Sequence, residues 1–355
     1  MKKLILVLFL IYSFFSFADD KKVNAMWYNV YQINLANIKE AKSQIDLHFR
    51  AMNEMGINTV FFMVKSPNGR AYYNSKILKP VLNNDFVSNK NSENRFDVLE
   101  YVIKKSKEYN MEIYPYINVF AEQGYYLDEN PKFAEKDSKG KIYSWTSPAI
   151  EDVQNRALSI IEEIIKNYNV NGIQLDRIRY EDTSAGFNEQ SVISYKSAYG
   201  KEPSVKDKDF TTYRKQLITD FVKKAVSKVK SINPNMKVSV AVFHSPKTAE
   251  NVLQDFGNWI NIDGLDAIYT MSYTNKVENF KQFLTDNSAL IENNNSTKTK
   301  IIIGVGSYYV NMTPEILMEQ VKLAVADKNI SGICYFSAYN MFEDSFYNMF
   351  KNYRP

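Results

Sequence analysis

The part of this sequence best suited to chemistry is a carboxylate set between two arginines. In Asn169-Val170-Asn171-Gly172-Ile173-Gln174-Leu175-Asp176-Arg177-Ile178-Arg179-Tyr180, a short apolar run ends on Asp176, and Arg177, Arg179 and Tyr180 follow directly. Nearby guanidinium groups favour an ionised carboxyl. A carboxylate so held serves as a nucleophile, as a base, or as a stabiliser of positive charge on a sugar ring. The competing expectation is a structural ion pair of Asp176 with Arg177 or Arg179. Glycoside hydrolysis asks for a second carboxyl group, about 5–5.5 Å away if the first is the nucleophile and about 6.5–9.5 Å away if a water must fit between them. Glu122, just past the third predicted strand, and Glu181, with Asp182 beside it, are the candidates; the competing expectation for Glu122 is a solvated loop residue. Asp263 and Asp266 precede a predicted strand, are expected at the opposite face, and are set aside.

Composition narrows the alternatives. The chain has 355 residues, 44 Lys+Arg against 40 Asp+Glu, one Cys and two His, and a formal net charge of +4. That balance, without a basic run interleaved with aromatics, speaks against a nucleic-acid partner. Cys334 alone excludes an intrachain disulfide or a cysteine-based metal site, and His48 and His244 are too few for a multi-histidine centre. No metal and no cofactor are therefore expected, and a metal-dependent deacetylase is disfavoured for the same reason. Aromatic residues make up 14% of the chain, with 25 Tyr, 22 Phe and 3 Trp. Sugars offer C–H faces to rings and hydroxyls to polar tips, so surplus tyrosine suits a carbohydrate ligand.

These groups need a frame. Residues 1–18 read as a secretory signal peptide, with Lys2 and Lys3 before an apolar core and Ser16-Phe17-Ala18 at the cleavage point. The apolar run, about 14 residues, is shorter than the roughly 20 that span a bilayer. Residues 19–355 would then form one exported domain, periplasmic or secreted, with no membrane span after cleavage. Short β-type runs at 25–30, 59–64, 112–120, 172–175, 237–243, 267–272, 300–305 and 332–336 alternate with helical periodicity at 36–55, 96–110, 149–168, 210–232, 247–260, 277–292, 314–328 and 341–351. In the third helix Val153, Ala157, Ile160, Ile161, Ile164 and Ile165 form one stripe, with Glu162, Glu163 and Lys166 off it. Eight strand–helix units predict an α/β fold, a (β/α)8 TIM barrel; a doubly wound open sheet is the rival. Long loops after the second and fourth strands, 66–94 and 176–209, fall on the face where barrel enzymes build their sites.

Further motifs carry a resemblance. Trp27 lies in an early strand, and Met55-Gly56-Ile57-Asn58-Thr59-Val60 leads into the next. Gly69-Arg70-Ala71-Tyr72-Tyr73-Asn74-Ser75, Tyr114-Pro115-Tyr116-Ile117-Asn118, Asn171-Gly172-Ile173-Gln174-Leu175-Asp176 with its Arg-x-Arg-Tyr tail, Ile268-Tyr269-Thr270-Met271-Ser272-Tyr273, Ile303-Gly304-Val305-Gly306 with Tyr308-Tyr309, and Gly332-Ile333-Cys334-Tyr335-Phe336-Ser337 follow in order. From about residue 25 to 350 the chain resembles the glycosyl hydrolase-like 10 family of bacterial secreted proteins, which includes a divisome-localised glycosidase of peptide-free peptidoglycan strands. Departures are Asn171 for the usual Asp, Glu181 for a common proline, and the absence of a histidine ahead of the third strand. The resemblance implies a polysaccharide substrate and a role for Asn118.

Positions at strand ends complete the expected groove: Tyr73, Tyr116, Trp145, Tyr180, Tyr273 and His244, with Arg177 and Arg179. Met271-Ser272-Tyr273 is similar to the strand end of chitinase-like family 18 barrels, but Gln174 and Arg177 stand where acids would be wanted. Tyr273 is therefore weighed as a rim contact against a packing residue, and His244 as a hydrogen-bond or proton donor against an exposed loop residue. Gly304-Val305-Gly306 is read as close backbone approach, Cys334 as a small buried hydrophobe, and His48 as a packing residue. The expected function is an exported glycoside hydrolase of a bacterial polysaccharide, peptidoglycan strands or exopolysaccharide. The alternative is a non-catalytic carbohydrate-binding barrel at the cell envelope.

Overall fold

A computed structural model describes residues 22–81, 96–294 and 297–355. The expected signal peptide and part of the loop at 66–94 lie outside the described residues. The strands are β1 Val23–Tyr28, β2 Thr59–Lys65, β3 Glu112–Asn118, β4 Ala134–Lys136, β5 Ile142–Thr146, β6 Gly172–Asp176, β7 Lys237–Phe243, β8 Ala267–Met271, β9 Lys300–Gly306 and β10 Gly332–Phe336. Eight of them close a parallel barrel in the order β1-β10-β9-β8-β7-β6-β3-β2. Because β1 pairs with both β2 and β10, the sheet has no edge, and the open-sheet rival is excluded. The remaining two, β4 and β5, form an antiparallel hairpin that the sequence reading did not foresee.

The longer helices are α1 Ile38–Glu54, α2 Val98–Glu108, α3 Glu151–Asn167, α4 Glu189–Tyr199, α5 Lys208–Ile232, α6 Val277–Glu292, α7 Pro314–Ala326 and α8 Asp344–Phe350. Asn37, Asp97, Asp207 and Thr313 cap α1, α2, α5 and α7 by accepting from first-turn N–H groups. The apolar stripe of α3 is buried as its spacing requires, but Glu163 is buried with it, contrary to expectation. One predicted helix, 247–260, is instead three short turns, Pro246–Ala249, Glu250–Val252 and Phe256–Trp259. Leu253 adopts φ +59 there, and the Gln254 side chain donates to the carbonyls of Ile178 and Ala241 while accepting from Phe243 N–H. Those bonds fasten the segment to the barrel rim at the expense of helical continuity.

The barrel interior is aromatic. Trp27 meets Tyr116 at 4.7 Å and Phe61 at 5.1 Å between ring centroids, and Phe61 crosses to Tyr269 at 4.7 Å. Much of the surplus of rings is thus core. Gly172 opens β6 because a Cβ there would collide with the Tyr114 ring and the Lys237 carbonyl. Strand alternation then sets Gln174, which accepts from the Ser239 hydroxyl of β7, and Asp176 on the same face as Gly172. Asp176 therefore ends β6 at the C-terminal mouth of the barrel.

Candidate active site

Asp176 is partly exposed, in register with Asn118 across the β3–β6 pair. Its Oδ1 accepts from Arg177 N–H at 2.7 Å, a bond allowed by the left-handed backbone of Arg177, φ +53. Burial raises the pKa of Asp176 above its ordinary value, opposed by the charge and N–H of Arg177 and by Arg179. The carboxyl is thus desolvated yet faced by two cations, neither of which forms an ion pair with it within 4.0 Å among the described residues.

Aromatic rings surround this carboxyl. The Tyr116 hydroxyl donates to Asn29 Oδ1, and the charge of Asp176 adds to the burial that pushes the phenol up. Tyr273 is partly exposed, stacks on Phe336 at 5.3 Å, and also senses Asp176. A Cβ on Gly304 of β9 would collide with the Thr270 carbonyl and stand 3.0 Å from the Tyr273 ring, and one on Gly306 would stand 3.0 Å from Tyr273 Cβ, so the Gly-x-Gly motif is a close backbone approach, as expected. Arg179 lies 4.8 Å over Trp145 and 5.2 Å from Phe243; burial pushes its pKa down to about 10, with Asp176 opposing. Trp145 rides on β5, so the unforeseen hairpin carries the platform for both arginines, Arg177 lying 5.8 Å from the same ring.

The other expected residues divide between the mouth and the buried wall. Glu122 is only 1% exposed and is gripped by Lys65 and, at 3.1 Å, by Arg156. It is neither a solvated loop residue nor an open acid at the mouth. Lys65 also donates to the carbonyls of Asn118 and Ala121, so the trio ties β2, β3 and α3 beneath the rim. Asn118 Nδ2 donates to Lys65 O at 3.0 Å, joining β3 to β2 next to Asp176. Tyr180 is buried beside Glu135 and Arg214, and Arg214 donates to the carbonyls of Thr183 and Ala185 further along the loop. Tyr73 is buried too: its hydroxyl donates to Glu163 of α3 at 2.7 Å, as does that of Ser75 at 2.6 Å. That loop motif is an anchor. His244 packs on Phe283 of α6 at 3.9 Å and meets Thr248 Oγ1, so it joins the outer wall and not Asp176. Glu181 is exposed, and its charge reaches Arg179. Asp182 is tied up by Tyr143 and Ser184. Asp266, as expected, is at the other end of the barrel, bonded to Lys230 and Val238 N–H.

Tyr31 is the residue the sequence reading missed. It is 68% exposed in a short turn after β1, where Arg177 opposes the rise in its phenol pKa and where it adds to the rise at Tyr72 and Tyr116. Its position just past a strand end was the available signal, the same one that marked Tyr273. Lys65 carried no such signal, since its partner Glu122 lies far along the chain. Among the described residues no group of three or more His, Cys, Asp or Glu is placed to hold a metal ion.

The glycosyl hydrolase-like 10 family profile matches residues 22–321. The chain belongs to that family. Glycosyl hydrolase DigH of Escherichia coli K12 is 25% identical over 233 residues, 59% of this chain and 51% of that protein. An S-layer-related protein of Niallia circulans is 27% identical over 214 residues, 54% of this chain and 13% of the other. The chain spans about half or less of the length of these family-related proteins. Among solved structures, the PgaB (BpsB) glycoside hydrolase domain of Bordetella bronchiseptica superposes with a TM-score of 0.71 at 12% identity, covering 92% of this chain and 97% of that one. At that identity the likeness concerns the fold, a barrel shared with glycoside hydrolases.

Proposed function

We propose that this glycosyl hydrolase-like 10 protein is an exported hydrolase of glycosidic bonds in a bacterial polysaccharide, peptidoglycan glycan strands or an exopolysaccharide, and that Asp176 is its essential carboxyl. The observation that carries the reading is Asp176 itself: a desolvated, partly exposed carboxyl at the C-terminal end of β6, facing Arg177 and Arg179 and ringed by Tyr116 and Tyr273. Family membership and the relatives named glycosyl hydrolase support the same chemistry. Export rests on the leader-like residues 1–18.

Hydrolysis breaks the bond between the anomeric carbon and the bridging oxygen, adds water's hydroxyl to the carbon and returns a proton to the oxygen. Asp176 is one of the two carboxyl groups this needs, and Glu181, exposed beside Arg179, is the better partner now that Glu122 is committed to Lys65 and Arg156. Trp145, Tyr116 and Tyr273 supply the faces against which a sugar ring packs. A second reading, a carbohydrate-binding barrel without turnover, draws on the same fact about Glu122, because it leaves Glu181 as the exposed acid whose charge reaches Arg179 among the described residues.

Reducing-end release from peptide-free glycan strands and from a panel of exopolysaccharides separates the two. The wild type is expected to release ends, Asp176→Asn to lose at least about 100-fold and Glu181→Gln to lose a comparable factor. Full activity in Asp176→Asn removes the catalytic assignment. Binding without release by the wild type establishes the second reading instead.

A further inference from the structure

The mouth has a second aromatic feature, distinct from the rings around Asp176. Tyr308 is 46% exposed and Tyr309 38% exposed in the loop after β9, and Tyr339 is 66% exposed in the short helix Ala338–Met341 after β10. With Tyr31 after β1 they sit on three consecutive barrel strands, since β10 pairs with both β9 and β1. Neighbouring strands lie about 4.8 Å apart, so this arc runs on the order of 10 Å along the rim. That is close to the length of a disaccharide.

The arc is continuous with the candidate active site. Tyr308 packs edge-on against Tyr273 at 5.8 Å and against Phe336 at 5.5 Å, and Tyr309 lies beside Tyr308 at 4.8 Å. Phe336 in turn contacts Trp27, which meets Tyr116 next to Asp176. Large aromatic groups left in water along one edge of a site mark a binding surface more often than chance exposure does. Their chemistry selects the occupant. Each ring has a face for sugar C–H groups and a hydrogen-bonding tip for sugar hydroxyls, with Val310, 80% exposed, beside them in the same loop; a surface helix that binds membrane would instead carry a Lys/Arg-rich polar face.

From this the geometry points to Tyr308, Tyr309 and Tyr339 as an outlying glycan subsite that holds sugar residues beyond those at Asp176, so that the protein takes polymeric strands in preference to short oligosaccharides. The inference rests on the carbohydrate reading above and adds the length of the substrate to it. The arc reaches from β9 through β10 toward Tyr31, and a chain lying along it enters the mouth between Tyr273 and Arg177.

Calorimetry on the full chain tests it, with Asp176→Asn as the background so that the ligand survives. The probes are long peptide-free peptidoglycan strands and the tetrasaccharide cut from them. Substituting Tyr309→Ala and Tyr339→Ala together is expected to raise Kd for long strands about tenfold while moving the tetrasaccharide by no more than about twofold. The Tyr→Phe pair, which keeps the rings, is expected to retain most of the long-strand affinity, and unchanged circular dichroism establishes that both pairs fold. Equal long-strand affinity with and without the rings overturns the subsite but leaves the carbohydrate reading standing. Binding of neither probe overturns both. Loss of binding to anionic phospholipid vesicles, with glycan affinity untouched, replaces the subsite with a membrane contact.

Discussion

Asp176 is costly to the fold, and the sign of that cost is measurable. Its folded pKa lies above the ordinary 3.8, chiefly through burial. Between those two values the folded state binds more protons than the unfolded one, so this group's contribution to stability falls as pH rises through the window and stays low above it. Asp176→Asn is therefore expected to raise the melting temperature at pH 7, with the gain vanishing below pH 3.8, where both states are protonated. Scanning calorimetry of the two proteins across pH checks this; an Asn variant less stable than wild type at pH 7 contradicts it. Glu122 is the opposite case. With 1% exposure and two cations on it, Glu122→Gln leaves Lys65 buried without its counter-charge and is expected to cost about 3–5 kcal/mol in urea unfolding.

At the scale of elements, Glu163 of α3 gathers the described part of the loop after β2. Glu163 accepts from the Tyr73 and Ser75 hydroxyls and from Lys76 N–H at 2.5 Å. Glu163→Ala strands three donors, for an expected loss of about 1–3 kcal/mol and faster amide exchange across 70–78. This pairing also shows where sequence reasoning stopped. All eight barrel strands and the α3 stripe were legible because alternation and helical period are local signals. Tyr73 and Glu163 are not local to each other, so Tyr73 read as a groove residue and Glu163 as a surface one. Tyr180 misled for a similar reason, since it is buried beside Glu135 and Arg214, neither of them local to it in sequence. The hairpin of β4 and β5 has strands too short for a period to emerge, although it brings Trp145 beneath Arg179. Asp176, Arg177, Arg179, Tyr116 and Tyr273 were legible because each sits at or just past a strand end.

For the molecule as a whole, the donor chemistry predicts independence from metals. Among the described residues, Asp176, faced by arginines, and the exposed Glu181 are joined by no histidine, since His244 stacks on α6 and His48 lies between Tyr28 and Phe342. Dialysis against EDTA is expected to leave both melting temperature and glycan release unchanged; a loss restored by a divalent cation contradicts this. No helix among the described residues is long and apolar enough to cross a membrane.

The distribution of indoles has an optical consequence. The chain contains three tryptophans. Trp27 touches Tyr116 in the barrel, Trp145 lies under Arg179, and Trp259 is fully buried against α5 with its indole N–H on Thr219 at 2.9 Å. Two of the three emitters thus touch residues that surround Asp176, and the third lies in the buried wall against α5. A sugar bound at Arg179 would change the polarity around Trp145, so glycan binding is expected to shift the protein's own emission, without a label, and Trp145→Phe to reduce that shift.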